Sequence, residues 1–152
     1  MLRRSKTDAS EHGPTRVLVV DDDRDACELV ARIVEAAGWG AARAHSGEEA
    51  ISALTGGRPP FAAMVLDFVE GGTEAGLRVL EEVRRRPELA DVGVVVIPAS
   101  RYDKEIAWRA GADAVLVRPF HADDLVNELY ALFTRTPDER IAFRAEQLGA
   151  GA

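Results

Sequence analysis

The sequence predicts an α/β domain in which five parallel strands alternate with helices. Short apolar segments rich in β-branched residues alternate with amphipathic segments at helical spacing. The connections are short and are marked by glycine, proline or helix-capping residues. This alternation implies right-handed crossovers and a parallel sheet covered by helices on both faces. The 152 residues are enough for one such domain with its own core.

Composition and charge narrow the class of protein. The chain has 26 acidic and 19 basic residues, a net charge of −7, which disfavours non-specific nucleic-acid binding. It has no apolar run that could span a membrane, and its basic start lacks the apolar segment of a secretory signal. The single cysteine, Cys27, excludes an intramolecular disulfide and fits the cytoplasm, where we expect the protein to act.

The first strand and helix are the clearest elements. After a polar, flexible lead at residues 1–15, the sequence Val-Leu-Val-Val at 17–20 predicts a buried strand, and three aspartates follow it directly. In the next helix Asp22 or Asp23 can cap the start, and Gly38 can end it. Its apolar residues fall on one face, which we expect to point inward. They are Ala26, Leu29, Val30, Ile33, Val34 and Ala37.

The second and third strand–helix units are less regular. Residues 40–44 predict a weak strand, and Ser46 with Glu49 has the spacing of a capping box at the start of a helix. Residues 61–66 predict a third strand that runs straight into Asp67. A glycine-rich loop and a helix follow, and three arginines at the end of that helix suit its dipole. We therefore expect them to form a solvated helix end rather than a nucleic-acid patch. The loop glycines are Gly71, Gly72 and Gly76, and the arginines are Arg84, Arg85 and Arg86.

The remaining elements complete the pattern. Residues 92–97 and 114–117 predict the fourth and fifth strands, residues 101–110 a short helix between them, and residues 122–134 a longer one. The sequence Thr-Pro-Asp-Glu from position 136 has a cap, a first-turn proline and a capping-box glutamate. It predicts one short helix in the tail. The chain is thus divided into a lead at 1–15, a domain at 16–134 and a tail at 135–152.

Polar side chains follow three of the predicted strands. Asp21 and Asp22 follow the first, Asp67 the third and Arg118 the fifth. If the strand order is 2-1-3-4-5, as in flavodoxin-like folds, the switch point lies between strands one and three, and Asp22 and Asp67 face each other there. Each aspartate alone is more typical of a helix cap or a turn. Together they suit Mg²⁺, beside which an aspartate can attack a phosphoryl group. Asp23 is then a cap.

Four motifs in this order resemble the receiver domain of bacterial two-component response regulators. They lie at residues 17–23, 64–67 (Met-Val-Leu-Asp), 110–113 (Ala-Gly-Ala-Asp) and 118–120 (Arg-Pro-Phe). The resemblance covers about residues 16–134. It implies a phosphoprotein in a phosphorelay that receives its phosphoryl group from a sensor histidine kinase or a phosphotransfer protein. It also implies output through protein contacts at helix four, strand five and helix five.

The resemblance assigns roles to individual residues. Asp67 would be the phosphoacceptor. Asp21, Asp22 and Asp67 would hold Mg²⁺, with the carbonyl of Val69 as a further protein ligand. Arg118 stands where the family usually has a lysine.

The switch residues depart from the family pattern. Pro98 stands where a threonine or serine usually ends strand four, and Val115 where strand five usually has an aromatic residue. Ser100, two residues after Pro98, is a candidate for the missing hydroxyl if the loop is shifted. We therefore keep two hypotheses. The favoured one is a stand-alone receiver that is phosphorylated and signals through an altered switch, and the other is a degenerate receiver that binds a partner without phosphorylation.

A third, enzymatic hypothesis comes from a different family. Asp21 and Asp23 form the Asp-x-Asp of haloacid-dehalogenase-type phosphatases, but Asp25 stands where those enzymes usually carry threonine or valine. We therefore expect a phosphoacceptor domain rather than an enzyme. Trp108 can be either a core residue or an exposed anchor for a partner. We expect no DNA-binding output module after Thr134 and either a monomer or a homodimer.

Overall fold

The structure is a computed structural model that describes residues 15–56, 60–67 and 72–151. It contains five strands, six α-helices and two short 3-10 turns within those ranges. The strands are β1 (Arg16–Val20), β2 (Gly40–Ala44), β3 (Ala63–Asp67), β4 (Gly93–Ile97) and β5 (Ala114–Val115). The helices are α1 (Arg24–Ala36), α2 (Gly47–Gly56), α3 (Gly72–Arg85), α4 (Lys104–Ala110), α5 (Ala122–Thr134) and α6 (Pro137–Gly151). The 3-10 turns are Pro87–Leu89 and Arg101–Asp103.

All five strands pair in parallel, in the order β2-β1-β3-β4-β5. This confirms the predicted strand order and places the switch point between β1 and β3. The register sets Val20 opposite Leu66 and Asp67 opposite Ile97. The carboxyl ends of β1, β3 and β4 therefore lie at one edge of the sheet.

The core has two layers because successive residues of a strand point to opposite faces of the sheet. Val17 and Val19 face the layer of α1 and α5, whereas Leu18 and Val20 face the layer of α2, α3 and α4. The first layer also contains Cys27, Val30, Val34, Leu125, Leu129 and Leu132. The second also contains Ala50, Leu54, Leu80, Val83, Ala107 and Trp108. Both faces of the sheet are thus covered, as predicted, and Trp108 is a core residue.

The predicted caps are present. Oδ1 of Asp23 accepts hydrogen bonds from the amides of Asp25 and Ala26 at 3.0 and 3.1 Å, so Asp23 is the N-cap of α1. Gly38, just after that helix, has a φ of 100°, a value that suits glycine at a helix end. Ser46 Oγ accepts from the Glu49 amide at 3.1 Å at the start of α2. At the start of α6, Thr136 and Glu139 exchange the two capping-box hydrogen bonds, at 2.8 and 3.1 Å.

Several predicted details are wrong. Leu29 is 65% exposed, because α1 buries the stripe through Cys27, Val30 and Val34 and leaves Leu29 on its flank. The helix α3 begins at Gly72, so Gly72 and Gly76 lie in a helix rather than in a loop. The fifth strand is Ala114–Val115, two residues rather than four.

Arg84 is not part of a solvated helix end. Its Nη2 donates to Asp113 Oδ2 at 2.6 Å, and its Nε and Nη1 donate to the carbonyls of Gly111 and Val92, each at 2.9 Å. These acceptors lie at the amino ends of β4 and β5, at the opposite edge of the sheet from Asp67. The helix dipole does not determine this contact; tertiary packing does.

No helix in the described ranges is long and apolar enough to cross a membrane. The lead at residues 1–14 and Val69 lie outside the described residues.

Candidate functional site

The candidate site lies at the carboxyl ends of β1 and β3, where Asp21 and Asp67 come next to each other across the switch point. A small cavity of about 70 Å³ opens there. It is lined by Val20, Asp21, Asp22, His45, Ser46, Gly47, Leu66, Asp67, Ala75, Gly76 and Val79. Three of the predicted acidic residues therefore share one cavity, because the sheet order brings their strand ends together.

Asp21 is the most unusual residue of the site. It is only 2% exposed. Its Oδ1 accepts a hydrogen bond from the Asp23 amide at 3.0 Å, while its Oδ2 is buried and has no hydrogen-bond partner among the described residues. Burial raises the pKa of Asp21 to about 7, the charge of Asp67 beside it acts in the same direction, and the Asp23 amide opposes the shift. A cation at Oδ2 would satisfy this oxygen.

Asp67, the last residue of β3, is held by Arg118. The Asp67 side chain is 3% exposed and that of Arg118 is 40% exposed. Arg118 Nη1 donates to Asp67 Oδ1 at 3.3 Å, and Nη2 donates to Oδ2. The guanidinium thus contacts both carboxylate oxygens, which a lysine ammonium could not do with the same fork geometry. The peptide bond that follows, between Arg118 and Pro119, is cis.

The donor set fits a hard divalent cation. Asp21 offers an unpartnered carboxylate oxygen, and Asp22 is exposed and lines the same cavity. Mg²⁺ prefers oxygen ligands and usually keeps several waters, so few protein ligands suffice. The described residues include no cluster of three or more His, Cys, Asp or Glu arranged to hold a metal ion. The acidic side chains would therefore have to move toward one another to bind the cation. Asp67 is held by Arg118 instead.

The candidate hydroxyl is used elsewhere. Ser100 Oγ accepts a hydrogen bond from the Tyr102 amide at 3.1 Å and so caps the 3-10 turn Arg101–Asp103. Ser100 is not among the residues that line the cavity, and Pro98 is buried at the end of β4. The structure thus brings Asp21, Asp22, Asp67 and Arg118 together but does not bring Ser100 to them.

His45 belongs to the site, and the sequence reasoning did not identify it. It follows β2, lines the cavity, and places Nδ1 3.0 Å from the carbonyl oxygen of Asp21. Its amide donates to Glu49 Oε1 at 2.7 Å. The signal was available, since a polar residue just after the strand next to β1 must lie at the same sheet edge.

Comparison with known families matches residues 17–130 to the response regulator receiver domain. Among characterised proteins, the chain is 34% identical to the response regulator MprA of Mycobacterium sp. (strain KMS) over 127 residues. That match covers 83% of this chain and 54% of the relative. The MprA of Mycobacterium tuberculosis (strain ATCC 25177 / H37Ra) is 33% identical, over 84% of this chain and 54% of the relative. The chain therefore spans about half the length of these relatives.

Solved structures give the same match. A putative response regulator from Chloroflexus aurantiacus J-10-fl superposes with a TM-score of 0.72 at 27% identity, covering 80% of this chain and 99% of the other. The receiver domain of NtrX from Brucella abortus gives 0.67 at 30% identity, covering 79% and 99%. The response regulator TrrA from Thermotoga maritima, whose structure is a complex with Mg²⁺ and BeF, gives 0.67 at 28% identity, covering 78% and 98%.

Proposed function

The chain belongs to the family of response regulator receiver domains of two-component signalling systems, and from this premise we propose that it accepts a phosphoryl group on Asp67 with the help of Mg²⁺. Receiver domains are signalling domains, so the phosphoryl group serves as a signal rather than as a step in turnover.

One observation carries the proposal. Asp67 ends the strand next to Asp21, whose buried Oδ2 has no partner among the described residues, and a guanidinium contacts Asp67 from the other side. A carboxylate nucleophile, a vacant oxygen for a cation and a fixed positive charge are what phosphoryl transfer to an aspartate requires. A buried carboxylate oxygen without a hydrogen-bond partner costs stability, and a cation bound at Asp21 Oδ2 would offset that cost.

The proposed step transfers a phosphoryl group from a phosphohistidine of the partner. A carboxylate oxygen of Asp67 attacks the phosphorus, an O–P bond forms as the P–N bond breaks, and the electron pair leaves with the histidine ring nitrogen, which then takes a proton. The product is an aspartyl phosphate and a neutral imidazole. No oxidant or further reactant is needed.

The residues of the chain divide the remaining work. Asp21, Asp22 and Asp67 would hold Mg²⁺, with the Val69 carbonyl as a further ligand. The bound ion would balance the charge on the transferring oxygens. Arg118 must release at least one oxygen of Asp67 before attack, and its positive charge can then pair with the phosphoryl oxygens. Ser100 can contribute its hydroxyl only if the turn at Arg101–Asp103 gives up its cap.

Intact-mass measurement tests the proposal. Purified protein is incubated with Mg²⁺ and a small acyl phosphate, alongside Asp67→Ala and Asp91→Asn. Asp91 is exposed and lies just before β4, at the opposite edge of the sheet, so its variant is the matched control. We expect one added phosphoryl group on the wild type and on Asp91→Asn, and none on Asp67→Ala. A wild type that stays unmodified both with the small donor and with a phosphorylated histidine kinase would disprove the proposal.

The alternative is a receiver that binds its partner without phosphorylation. Two observations favour it: Arg118 contacts both oxygens of Asp67, and Pro98 has no hydroxyl. The same mass measurement decides between the two. The haloacid-dehalogenase hypothesis gains no support from the family match.

Receiver domains of response regulators interact with histidine kinases or phosphotransfer proteins, and we propose a partner of that kind in the cytoplasm as the phosphoryl donor. We propose a protein rather than a nucleic acid as the downstream partner, since the net charge of −7 repels phosphate backbones. Monomer and homodimer both fit this proposal.

A further inference from the structure

Helix α6 covers a specific part of the domain, the side of α4 and the amino end of β5. The ring of Phe143 meets Trp108 edge to face, with 5.8 Å between centroids. The guanidinium of Arg135 lies 3.9 Å from the centre of the Phe143 ring. Arg144 donates from Nε to the Ala112 carbonyl and from Nη2 to Asp113 Oδ1, both at 2.9 Å. The apolar contacts of α6 thus come from Phe143, with Leu148 also packed against the core, and Arg144 makes polar contacts with the amino end of β5.

Helix α6 is packed less tightly against the domain than α5, the helix before it. The helix α5 places Leu125, Leu129 and Leu132 in the core with no exposed surface. In contrast, none of the α6 side chains at positions 137–149 is fully buried. A cavity of about 420 Å³ lies between α4 and α6, and one of about 220 Å³ lies at the other end of the contact. Incomplete packing of this kind favours release.

One polar group of α6 is unfavourably placed in the docked position. Arg140 Nη1 donates to the Asp91 carbonyl at 2.8 Å, but Nε of the same side chain is buried without a partner among the described residues. A buried donor with no acceptor costs free energy that release of the helix would recover.

The surface beneath α6 is held in place by hydrogen bonds that do not involve α6. Asp113 is 2% exposed, and its Oδ2 accepts from Arg84 Nη2 at 2.6 Å and from the Val94 amide at 2.9 Å. If Arg144 left, the carboxylate would keep both of these partners, so no unpaired charge would stay buried. Trp108 is 8% exposed and would become an accessible aromatic anchor.

We propose that α6 is the intramolecular occupant of a docking surface formed by Trp108, the Ala112 carbonyl and Asp113, and that a helix of a partner protein displaces it. The contacts of α6 define the chemistry of that partner. It carries an aromatic side chain directly followed by arginine, as Phe143 and Arg144 do here. The ring takes the place on Trp108, and the guanidinium binds the carboxylate of Asp113.

Binding of a synthetic helix peptide to the 152-residue chain tests this proposal. The labelled probe has the sequence of residues 136–151, and the matched control peptide carries the Phe143→Ala and Arg144→Gln changes. The proteins are the wild type and its Phe143→Ala variant, with Arg144→Gln as a second variant that weakens the hold of α6 by another route. Fluorescence anisotropy measures the affinity, and far-UV circular dichroism shows that each variant keeps its fold.

In the wild type the tethered helix competes with the probe, so the apparent affinity is reduced by the fraction of chains whose surface is open. We expect the probe to bind Phe143→Ala at least about tenfold more tightly than the wild type, and the control peptide to bind each protein more weakly than the probe.

Three results would overturn the proposal. These are no binding to either variant, equal affinity for wild type and variants, and equal binding of probe and control peptide. Self-association of Phe143→Ala in sedimentation velocity would assign the surface to a second copy of the chain, which also contradicts a partner helix. No phosphoryl donor or Mg²⁺ is present in this assay, so its outcome does not depend on phosphorylation of Asp67.

Discussion

At the residue scale, Asp21 is a buried carboxyl that its surroundings make hard to ionise. Its pKa rises from 3.8 to about 7 in the folded chain, chiefly because the side chain is buried. A carboxyl whose pKa is higher in the folded state stabilises the fold fully below its unfolded pKa, and this contribution is lost as the pH rises to the folded pKa.

Asp21→Asn should therefore remove the pH dependence that Asp21 gives to the free energy of unfolding. Without divalent cations, we expect the wild type to lose stability relative to Asp21→Asn between about pH 4 and pH 7, by up to about 4 kcal/mol, since the shift is about three pH units at about 1.36 kcal/mol each. Urea unfolding at several pH values measures this difference. Parallel stability curves for the two proteins would show that Asp21 is ionised throughout. Adding Mg²⁺ should reduce the wild-type loss, because the ion favours the charged carboxylate.

Arg118 gives the second prediction at this scale. It contacts both oxygens of Asp67, and one of these contacts must break before the carboxylate attacks. Arg118→Lys keeps the charge but not the fork. We expect it to be phosphorylated about fivefold faster by a small acyl phosphate, because about 1 kcal/mol less is needed to free the oxygen of this part-exposed pair. Time courses of intact mass give the rates, with the exposed Arg32→Lys as control. A slower rate would mean that Arg118 assists the transfer more than it restrains Asp67.

At the element scale, the packing of β4 against α5 depends on a glycine. A Cβ at Gly93 would lie 2.2 Å from Cδ2 of Leu132, which is fully buried. Gly93→Ala should therefore destabilise the fold by about 2 kcal/mol, the usual cost of overpacking a core. Gly149→Ala is the matched control, because its Cβ would have open space, and alanine at this helical position should be neutral or slightly stabilising. Urea unfolding compares the two, and equal stabilities would show that Leu132 moves aside at no cost.

The elements also show what could be predicted from the sequence. The strand β1 and the helices α1 and α5 have strong periodicity and local caps, such as Asp23, so they were predicted nearly to the residue. The start of α3 was missed because Gly72 and Gly76 resemble loop residues, although both lie within the helix. Leu29 was assigned to the core because it falls within the apolar spacing of α1, but that spacing does not show which flank of the helix stays exposed.

The features of the site likewise divide into those that the sequence could predict and those that it could not. Asp21, Asp67 and Arg118 could be placed together because strand ends and sheet order determine their positions. The two-oxygen contact of Arg118 with Asp67 and the capping role of Ser100 depend on side-chain geometry, which spacing does not encode.

At the scale of the whole molecule, Asp113 links three parts of the chain. Arg84 reaches it from α3, 29 positions away, and Arg144 from α6, 31 positions away. Burial lowers the pKa of Arg84, with Arg144 and Arg140 acting in the same direction and Asp113 opposing them. Arg84 also donates hydrogen bonds to the carbonyls of Gly111 and Val92. Arg84 therefore attaches α3 to the sheet, whereas Arg144 attaches only α6 to it.

Arg84 should therefore stabilise the whole domain, whereas Arg144 should stabilise only the docking of α6. Arg84→Gln removes one side of a largely buried ion pair together with two bonds to backbone carbonyls, and we expect it to lower the free energy of unfolding of the whole domain by about 3 kcal/mol. Arg144→Gln leaves Asp113 paired with Arg84, so it should change global unfolding by less than about 1 kcal/mol. Hydrogen exchange should speed up in residues 137–151 of Arg144→Gln and stay unchanged in β1 and β3. Urea unfolding and exchange followed by mass spectrometry separate the two effects. If Arg144→Gln lowered global stability as much as Arg84→Gln, α6 would be an integral part of the core rather than a releasable cover.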